Sequence, residues 1–219
     1  MSDETSPGER ASAPAAETSA TRRISGPRKS REIFEATLAL LQDKGYEGLT
    51  VEGVAELSGV NKTTLYRWWP SKGALLGAAL LHGAPLALDF PDTGTLQGDL
   101  EALLDGIVTL LTAPPASAIA VASFGAATHS PELAVHTREF FADRLAGEQP
   151  IFTRAVDRGE LPPDADPMLL VDLLAGAAWL RVVFRQQPVE DDFTARAVRT
   201  VLRGAADTAP VRRGQPDGT

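Results

Sequence analysis

The chain has 219 residues, of which 43% are hydrophobic and 23% charged, and its formal net charge is −8 at neutral pH. This length and composition suit a soluble protein of one or two domains with a sizeable core. The chain has no cysteine, which excludes disulfides, thiolate catalysis and cysteine-ligated zinc. The N-terminus is rich in Ser, Ala, Pro, Thr and Glu, and it lacks the apolar segment of a secretory signal peptide.

The charge is distributed unevenly along the chain. Residues 22–72 contain nine Lys and Arg against six Asp and Glu, whereas residues 73–219 contain eleven against nineteen. A basic N-terminal part joined to an acidic remainder directs the basic part toward phosphate and keeps the remainder away from it. The charge pattern therefore predicts that a nucleic-acid contact, if there is one, lies within residues 22–72.

Residues 1–25 lack hydrophobic periodicity and are rich in small polar residues, so we predict a disordered tail there. A basic arm leads from this tail into the first predicted helix and comprises Arg22, Arg23, Arg28, Lys29 and Arg31. The arm either contacts phosphates or the minor groove, as flexible N-terminal arms do, or is a solvated charge cluster. Both interpretations stay open.

The first helix is predicted from about Ser30 to Lys44-Gly45, and its apolar face consists of Ile33, Phe34, Ala36, Leu38, Leu40 and Leu41. Gly45 is a natural C-cap for this helix. Thr50 is predicted to be the N-cap of the second helix, and Asn61 that of the third. The third helix is expected to end before Pro70, because the residue before a proline is disfavoured in helical geometry.

Residues 51–70 have the spacing of a helix-turn-helix. Ala55 is small enough for two helices to cross closely, and Gly59 lies where the first of them must end. Glycine tolerates the left-handed conformation of a C-cap at that point. Leu65 would pack the second helix onto the first. An ordinary two-helix turn has the same spacing, so the spacing alone does not establish DNA binding.

The residues that continue this motif are more specific. Leu65, Tyr66, Trp69, Lys72 and Leu75 form the pattern Leu-Tyr-x-x-aromatic-x-x-Lys-x-x-Leu. In this pattern the stretch from about residue 28 to residue 81 resembles the DNA-binding domain of the TetR family of bacterial transcriptional repressors. The resemblance implies a DNA-binding domain over residues 26–72, with its helix-turn-helix over residues 51–70.

The resemblance implies a set of DNA-contacting residues, which comprises Thr50, Lys62, Thr63, Thr64, Tyr66, Arg67, Trp68 and Lys72. Lys62, Thr63 and Thr64 begin the recognition helix and are expected to face base edges, where Lys62 can donate to guanine. Tyr66 and Lys72 match family positions that usually contact phosphate.

The remaining members of the set are expected to contact the backbone or the bases. Thr50 lies at a helix N-terminus, where a free amide and a hydroxyl form a natural phosphate site. Arg67 is expected to contact a base or the backbone. Trp68 departs from the family, which often has His or Tyr there, although its indole N–H can still reach a phosphate. Trp69 is expected to be a core residue, since the family keeps a Phe-like anchor at this position.

Further helices are predicted beyond the motif. They span 72 to about 88, 99–111, 116–128, 131–159 (kinked or split at Gln149-Pro150), 166 to about 186, and 192–203. No stretch alternates as a strand does. We therefore predict an all-α fold of about nine helices. A three-helix DNA-binding head precedes a helical ligand-binding and dimerisation domain over residues 73–206, and residues 207–219 form a disordered tail.

The segment 168–186 is apolar around nearly its whole circumference. A helix of this kind must be buried on all sides. One face would pack on the core and the other on a second subunit, as in the four-helix interfaces of TetR-like dimers. An internal core helix is the alternative. The predicted interface comprises Leu173, Ala177, Leu180, Phe184, Val198, Val201 and Leu202.

The same segment is expected to be a poor membrane span. It contains Asp172 and Arg181, and its most apolar run is short for a span. We therefore predict a cytoplasmic protein with no membrane contact.

The resemblance also implies a pocket for a small, partly hydrophobic effector in the C-terminal domain. Residues on the helices that line such pockets in the family are Phe124, His129, Phe140, Phe141, Trp179 and Arg181, although each of these is also compatible with a core or surface position. Effector binding would release a homodimeric repressor from a palindromic DNA site. An activator or a ligand-independent regulator is the alternative, and a non-DNA interaction protein on the same scaffold is a distant one.

An enzyme is not expected. The three histidines, His82, His129 and His136, form no H-E-x-x-H motif, and none has a carboxylate at metal-ligand spacing. The sequence also lacks a nucleophile elbow, a P-loop and a dinucleotide-binding fingerprint. We expect no cofactor and no metal.

Overall fold

The computed structural model of the chain describes residues 29–83, 86–89 and 92–206. The predictions for the two tails and for Arg22, Arg23 and Arg28 lie outside these residues. Within them the chain forms nine α-helices and no strand, which confirms the all-α fold. The helices are α1 (Ser30–Gly48), α2 (Val51–Ser58), α3 (Lys62–Trp68), α4 (Lys72–His82), α5 (Leu96–Thr112), α6 (Ala116–Ala127), α7 (Pro131–Asp157), α8 (Pro167–Trp179) and α9 (Phe193–Ala206).

The head is built from α1, α2 and α3. Leu65 of α3 is fully buried against this core, as its place in the motif predicts. Trp69 is 7% exposed and packs edge-on against Phe34, with ring centroids 5.5 Å apart. Gly59 adopts φ +65°, ψ +26°, the left-handed C-cap that the helix-turn-helix requires. Trp69 is therefore a core residue, and the crossing of α2 and α3 is fixed by apolar contacts.

Helix α4 joins the head to the body, because it packs against both α1 and α7. Its N-cap is Ser71, whose hydroxyl accepts a hydrogen bond from the Ala74 N–H at 3.1 Å. The helix ends at His82, so the prediction of a helix to about residue 88 is wrong. The C-cap Gly83 has an extended backbone, and Pro85 follows closely in the sequence, where its missing N–H and its ring disfavour another helical turn.

The body contains α5 to α9, and α5 contacts each of the other four helices. Helix α7 runs without interruption through Pro150, so the predicted split at this point is wrong. Beyond the proline, the helix buries Ile151, Phe152 and Ala155 completely or almost so. Burial of three apolar side chains stabilises the helix by more than the roughly 3 kcal/mol that an internal proline costs.

Helix α8 begins after Asp166, whose carboxylate caps it by accepting from the Leu169 N–H at 3.2 Å. It continues after Trp179 as a π turn over Leu180–Phe184, so the helical segment ends close to the predicted position. Within the single subunit only one side of α8 is buried, so the alternative of a purely internal core helix is wrong. Of the residues of α8, only Leu170, Leu174 and Ala178 are buried.

The helical stretch Pro167–Phe184 is long and apolar enough, at a mean hydropathy of 1.7 over 18 residues, to cross a membrane by length and composition. The expectation that it is too short and too polar is therefore not met. Only 17% of the stretch is buried within the protein. One such helix is weak evidence for a membrane protein.

Candidate nucleic-acid interface

One polar cap and one apolar residue position α3. The Asn61 side-chain oxygen accepts the Thr63 N–H at 2.9 Å and begins the helix. Leu65 holds the inner side, and the helix ends at Trp68, before Pro70. A helix of seven residues is unstable in isolation, so this packing rather than intrinsic propensity maintains it.

The outward side of α3 forms what we call the recognition surface, which comprises Lys62, Thr63, Tyr66 and Arg67. All four side chains are exposed, and their spacing places them on one face of the helix. Thr64 is half-buried and lies beside this surface, and Trp68 is 43% exposed at the end of the helix. Helix α3 contains two cations and no acid, which suits it to a DNA groove.

Tyr66 is held by a residue that the sequence did not suggest. Its hydroxyl donates to Oε1 of Glu52 on α2 at 3.2 Å. Partial burial, followed by this hydrogen bond and the Glu52 charge, raises the pKa of the Tyr66 phenol above its usual value. Tyr66 is therefore a neutral donor at physiological pH, and a phosphate must compete with Glu52 for it.

Thr50 and Lys72 occupy the edge of the head. The Thr50 hydroxyl accepts the Gly53 N–H at 3.1 Å, which leaves its own proton for a phosphate. The Lys72 ammonium donates to the Tyr46 carbonyl at 2.8 Å and lies 4.3 Å from the Tyr46 ring centroid. An ammonium has three N–H donors, so Lys72 keeps two for a phosphate while its position is fixed.

The predicted interface residues are divided between two environments. Leu173, Leu180 and Phe184 are 50%, 53% and 73% exposed. Together with Leu169, at 54%, they form what we call the apolar face of α8. Ala177, Val201 and Leu202 are half-buried.

Val198 is a correction to the predicted interface. Its side chain is fully buried in the core of its own subunit, so it is not available to a partner. Helix α9 packs on α5 as well as on α8, and the side of α9 that carries Val198 is buried within the subunit.

Four of the predicted effector residues come together, although they lie on three helices. Phe124 of α6 contacts Phe140 and Phe141 of α7 and Trp179 of α8, at centroid distances of 5.6, 5.0 and 5.5 Å. We call these four rings the aromatic cluster. Phe140 is 5% exposed and Phe141 is 50% exposed, so the cluster extends from the core to the surface.

The other two predicted effector residues make different contacts. His129 is exposed in the turn after α6, where its Nδ1 lies 2.7 Å from the Thr128 hydroxyl. Arg181 donates to the Glu190 carboxylate and to the Pro188 carbonyl, and its guanidinium lies over the Phe193 ring. Arg181 therefore ties the segment before α9 to the end of α8.

Glu148 of α7 is a buried carboxyl that the sequence did not single out. It is 3% exposed, and burial raises its pKa from 4.5 to about 7, although the Arg144 charge acts in the opposite direction. Between pH 4.5 and about 7 the native protein holds a proton that the unfolded chain has released. The free energy of unfolding is therefore expected to fall as pH rises from 4.5 to about 7. Above about pH 7, Glu148 is ionised in both states and no longer changes this free energy with pH.

Replacement of this carboxyl tests the effect. The wild type is expected to lose roughly 3 kcal/mol of unfolding free energy between about pH 4.5 and pH 8 through this group, at 1.36 kcal/mol per pKa unit. Glu148→Gln should remove this component in urea titrations across the range. The exposed Glu56→Gln should retain it. An unchanged pH profile in Glu148→Gln would show that the carboxyl does not titrate there.

Comparison with known proteins places these features in a family. Residues 33–79 match bacterial regulatory proteins of the tetR family, and residues 90–201 match the tetracyclin repressor-like C-terminal domain. The chain is 29% identical to the HTH-type transcriptional regulator AqdR of Rhodococcus erythropolis, over 83% of this chain and 87% of that protein. It is 32% identical to the DNA-binding transcriptional repressor TetR of Mycobacteroides abscessus, over 81% and 93%.

A solved structure supports the same relation. The crystal structure of a TetR family transcription regulator superposes with a TM-score of 0.67 at 38% identity, and it covers 82% of this chain and 97% of the other. The superposition therefore includes both the head and the body.

Proposed function

This chain belongs to the TetR family of transcriptional regulators, and we propose that it is a homodimeric repressor that binds a palindromic operator and is released by a small-molecule effector. As a family member it is a DNA-binding helix-turn-helix regulator and not an enzyme. We place it in the cytoplasm, where such soluble regulators act. The observation that carries the proposal is the recognition surface of α3, exposed on a head whose apolar contacts fix its orientation.

The apolar face of α8 supports the proposed dimer. Four large apolar side chains at half exposure or more form an unusual surface for a protein in water. A second copy of the chain would cover this face and, by two-fold symmetry, present a second recognition surface. Two such helices read half-sites about one turn of DNA apart, roughly 34–36 Å. We therefore assign residues 73–206 to dimerisation and effector binding, and residues 26–72 to the operator.

The first turns of α7 provide a route from the body to the head. The Ser130 hydroxyl lies 3.4 Å from the Tyr46 hydroxyl of α1, and the Glu132 carboxylate accepts from the Ser71 hydroxyl that caps α4. Gly77 of α4 faces His136 one turn further along. A shift of α7 would therefore move α4 and change the separation of the two heads, provided that the effector prefers the shifted state.

Gly77→Ala tests this route. A Cβ at residue 77 would lie 2.5 Å from the His136 Cβ and Cγ, so α4 and α7 must separate. We expect a loss of about 1–3 kcal/mol of stability, as overpacking commonly costs, together with weaker operator binding. Urea unfolding and a mobility shift measure the two effects. Gly125→Ala is the matched control, because its helical Cβ meets nothing within 4 Å and should not weaken either property.

The function itself is tested on the DNA upstream of the chain's own gene, by mobility shift and footprinting at two salt concentrations. Lys62→Ala and Arg67→Ala should each lose roughly 1–3 kcal/mol of binding free energy if the residue reads a base. A contact to phosphate alone would weaken binding to all sequences and reduce the salt dependence. Unchanged binding in both variants would overturn the recognition surface. Failure to shift this DNA or any sequence selected from random DNA would favour an interaction protein instead.

Transcription in vitro from the footprinted promoter separates a repressor from an activator. A repressor lowers transcript yield when added, and the effector restores it. Higher yield on addition would establish the activator, and no response to any bound small molecule would establish a ligand-independent regulator.

A further inference from the structure

Five residues of α7 share one face of the helix. Thr137, Phe140, Phe141, Arg144 and Glu148 follow one another at spacings of three, one, three and four, which is a single helical stripe. Two of them belong to the aromatic cluster, and the others are polar. The Arg144 guanidinium carbon lies 4.8 Å from the Phe140 ring centroid, so the polar part of the stripe begins directly beside the rings.

The polar groups of this stripe share a second property. Among the described residues, Oγ1 of Thr137, Nε of Arg144 and Oε2 of Glu148 are buried and have no hydrogen-bond partner. The same is true of the hydroxyl of Ser123, which precedes Phe124 on α6. Ser123 is fully buried and Glu148 is 3% exposed. Buried polar atoms are almost always paired, so the unpaired groups of Ser123 and Arg144, which neighbour Phe124 and Phe140, indicate a place that a ligand completes. Thr137 and Glu148 are eleven residues apart on α7, roughly 16 Å along the axis, so one small ligand does not contact both.

We infer that the aromatic cluster and the polar stripe of α7 form the effector site, and that the effector is an aromatic molecule bearing a carboxylate. This inference rests on the proposed function, since it names the chemical class of the effector assumed there. Phe141 is half exposed and marks the entrance. Phe124 and Trp179 pack against the ring of the ligand from the neighbouring helices.

The charge of the ligand follows from what the unpaired groups can donate. The hydroxyls of Ser123 and Thr137 and the Nε–H of Arg144 are donors. Donors on both helices call for an acceptor-rich anion. A cationic ligand is disfavoured, because Arg144 already occupies the face of Phe140 where a cation would bind.

Calorimetry on the full chain without DNA tests the site by itself. The probes are 2-naphthoate, the ammonium analogue (2-naphthyl)methylammonium, and octanoate, which keeps the carboxylate but has no ring. We expect 2-naphthoate to bind with a Kd below about 1 mM and the other two to bind at least about tenfold more weakly. Absence of naphthoate binding, or equal or tighter binding of the ammonium compound or of octanoate, overturns the inference.

Two variants localise the binding. Arg144→Gln should weaken naphthoate binding about tenfold, and the exposed Arg138→Gln on the same helix should not. Ser123→Ala removes an unpaired buried hydroxyl, so it should raise the melting temperature of the free protein while it weakens naphthoate binding severalfold. Naphthoate binding that is unchanged in both variants would place it elsewhere and overturn the assignment.

Operator binding by the same preparations separates the two hypotheses. If the wild type does not bind the operator, the proposed function is contradicted, whereas the naphthoate binding measured by calorimetry still stands. Operator binding without naphthoate binding counts against the effector class alone.

Discussion

Leu173→Asp is expected to convert the protein into a monomer in sedimentation and to weaken operator binding by roughly a hundredfold or more. Leu173 lies on the apolar face of α8 and is 50% exposed in the single subunit. In the proposed dimer it would be desolvated, and an unpaired carboxylate cannot be buried there at acceptable free energy. The loss of operator affinity follows because two linked heads bind about 10²–10⁴ times more tightly than one.

The fold of the subunit should survive this change, since residue 173 is already half in water. Val135→Asp is the matched control: Val135 is 42% exposed on α7 and is not part of the apolar face of α8, so its variant should remain a dimer. A Leu173→Asp protein that sediments as a dimer and binds the operator normally would show that subunits associate through another surface. Circular dichroism establishes that both variants remain helical.

Leu65→Ala is expected to lower the unfolding free energy of the head by about 2–5 kcal/mol, the usual cost of removing a fully buried leucine. The effect on DNA binding should be larger than that of any single contact residue. Leu65 is the fully buried residue of the seven-residue α3, so its loss releases the whole recognition surface from α2. Urea unfolding and a mobility shift measure the two effects.

Leu57→Ala provides the comparison within the same motif. Leu57 is 58% exposed on α2, and its truncation should change stability by no more than about 0.5 kcal/mol. The dimer should persist in both variants, because the proposed interface lies in the body. Equal stability of Leu65→Ala and the wild type would contradict the role of Leu65 as the anchor of α3.

The helix caps and the turn of the head were predictable because their causes are local. Thr50, Asn61 and Asp166 each accept a hydrogen bond from a backbone N–H two or three residues ahead. Such bonds depend only on residue type and a short spacing. Gly59 adopts the left-handed conformation for an equally local steric reason. The motif and the resemblance it carries could therefore be found without coordinates.

Other predictions failed because a single helix does not reveal its neighbours. Val198 and Leu173 are both apolar residues of the predicted interface, yet Val198 is buried within the subunit and Leu173 is half exposed. Only the packing of α5 against α8 and α9 decides which side faces inward. Pro150 was expected to kink or split α7, but the helix is not split there, because the burial that follows the proline outweighs the local cost.

The sequence by itself determined the helices of the head, their caps, and the residues that α3 exposes on its outer side, because these depend on local sterics and hydrogen bonding. The tertiary structure alone decided which apolar side of α8 remains for a partner and which rings from α6, α7 and α8 meet. It also decided that Glu148 lies in an environment that raises its pKa to about 7. These properties arise from groups far apart in the chain, and only the packed fold brings them within reach of one another.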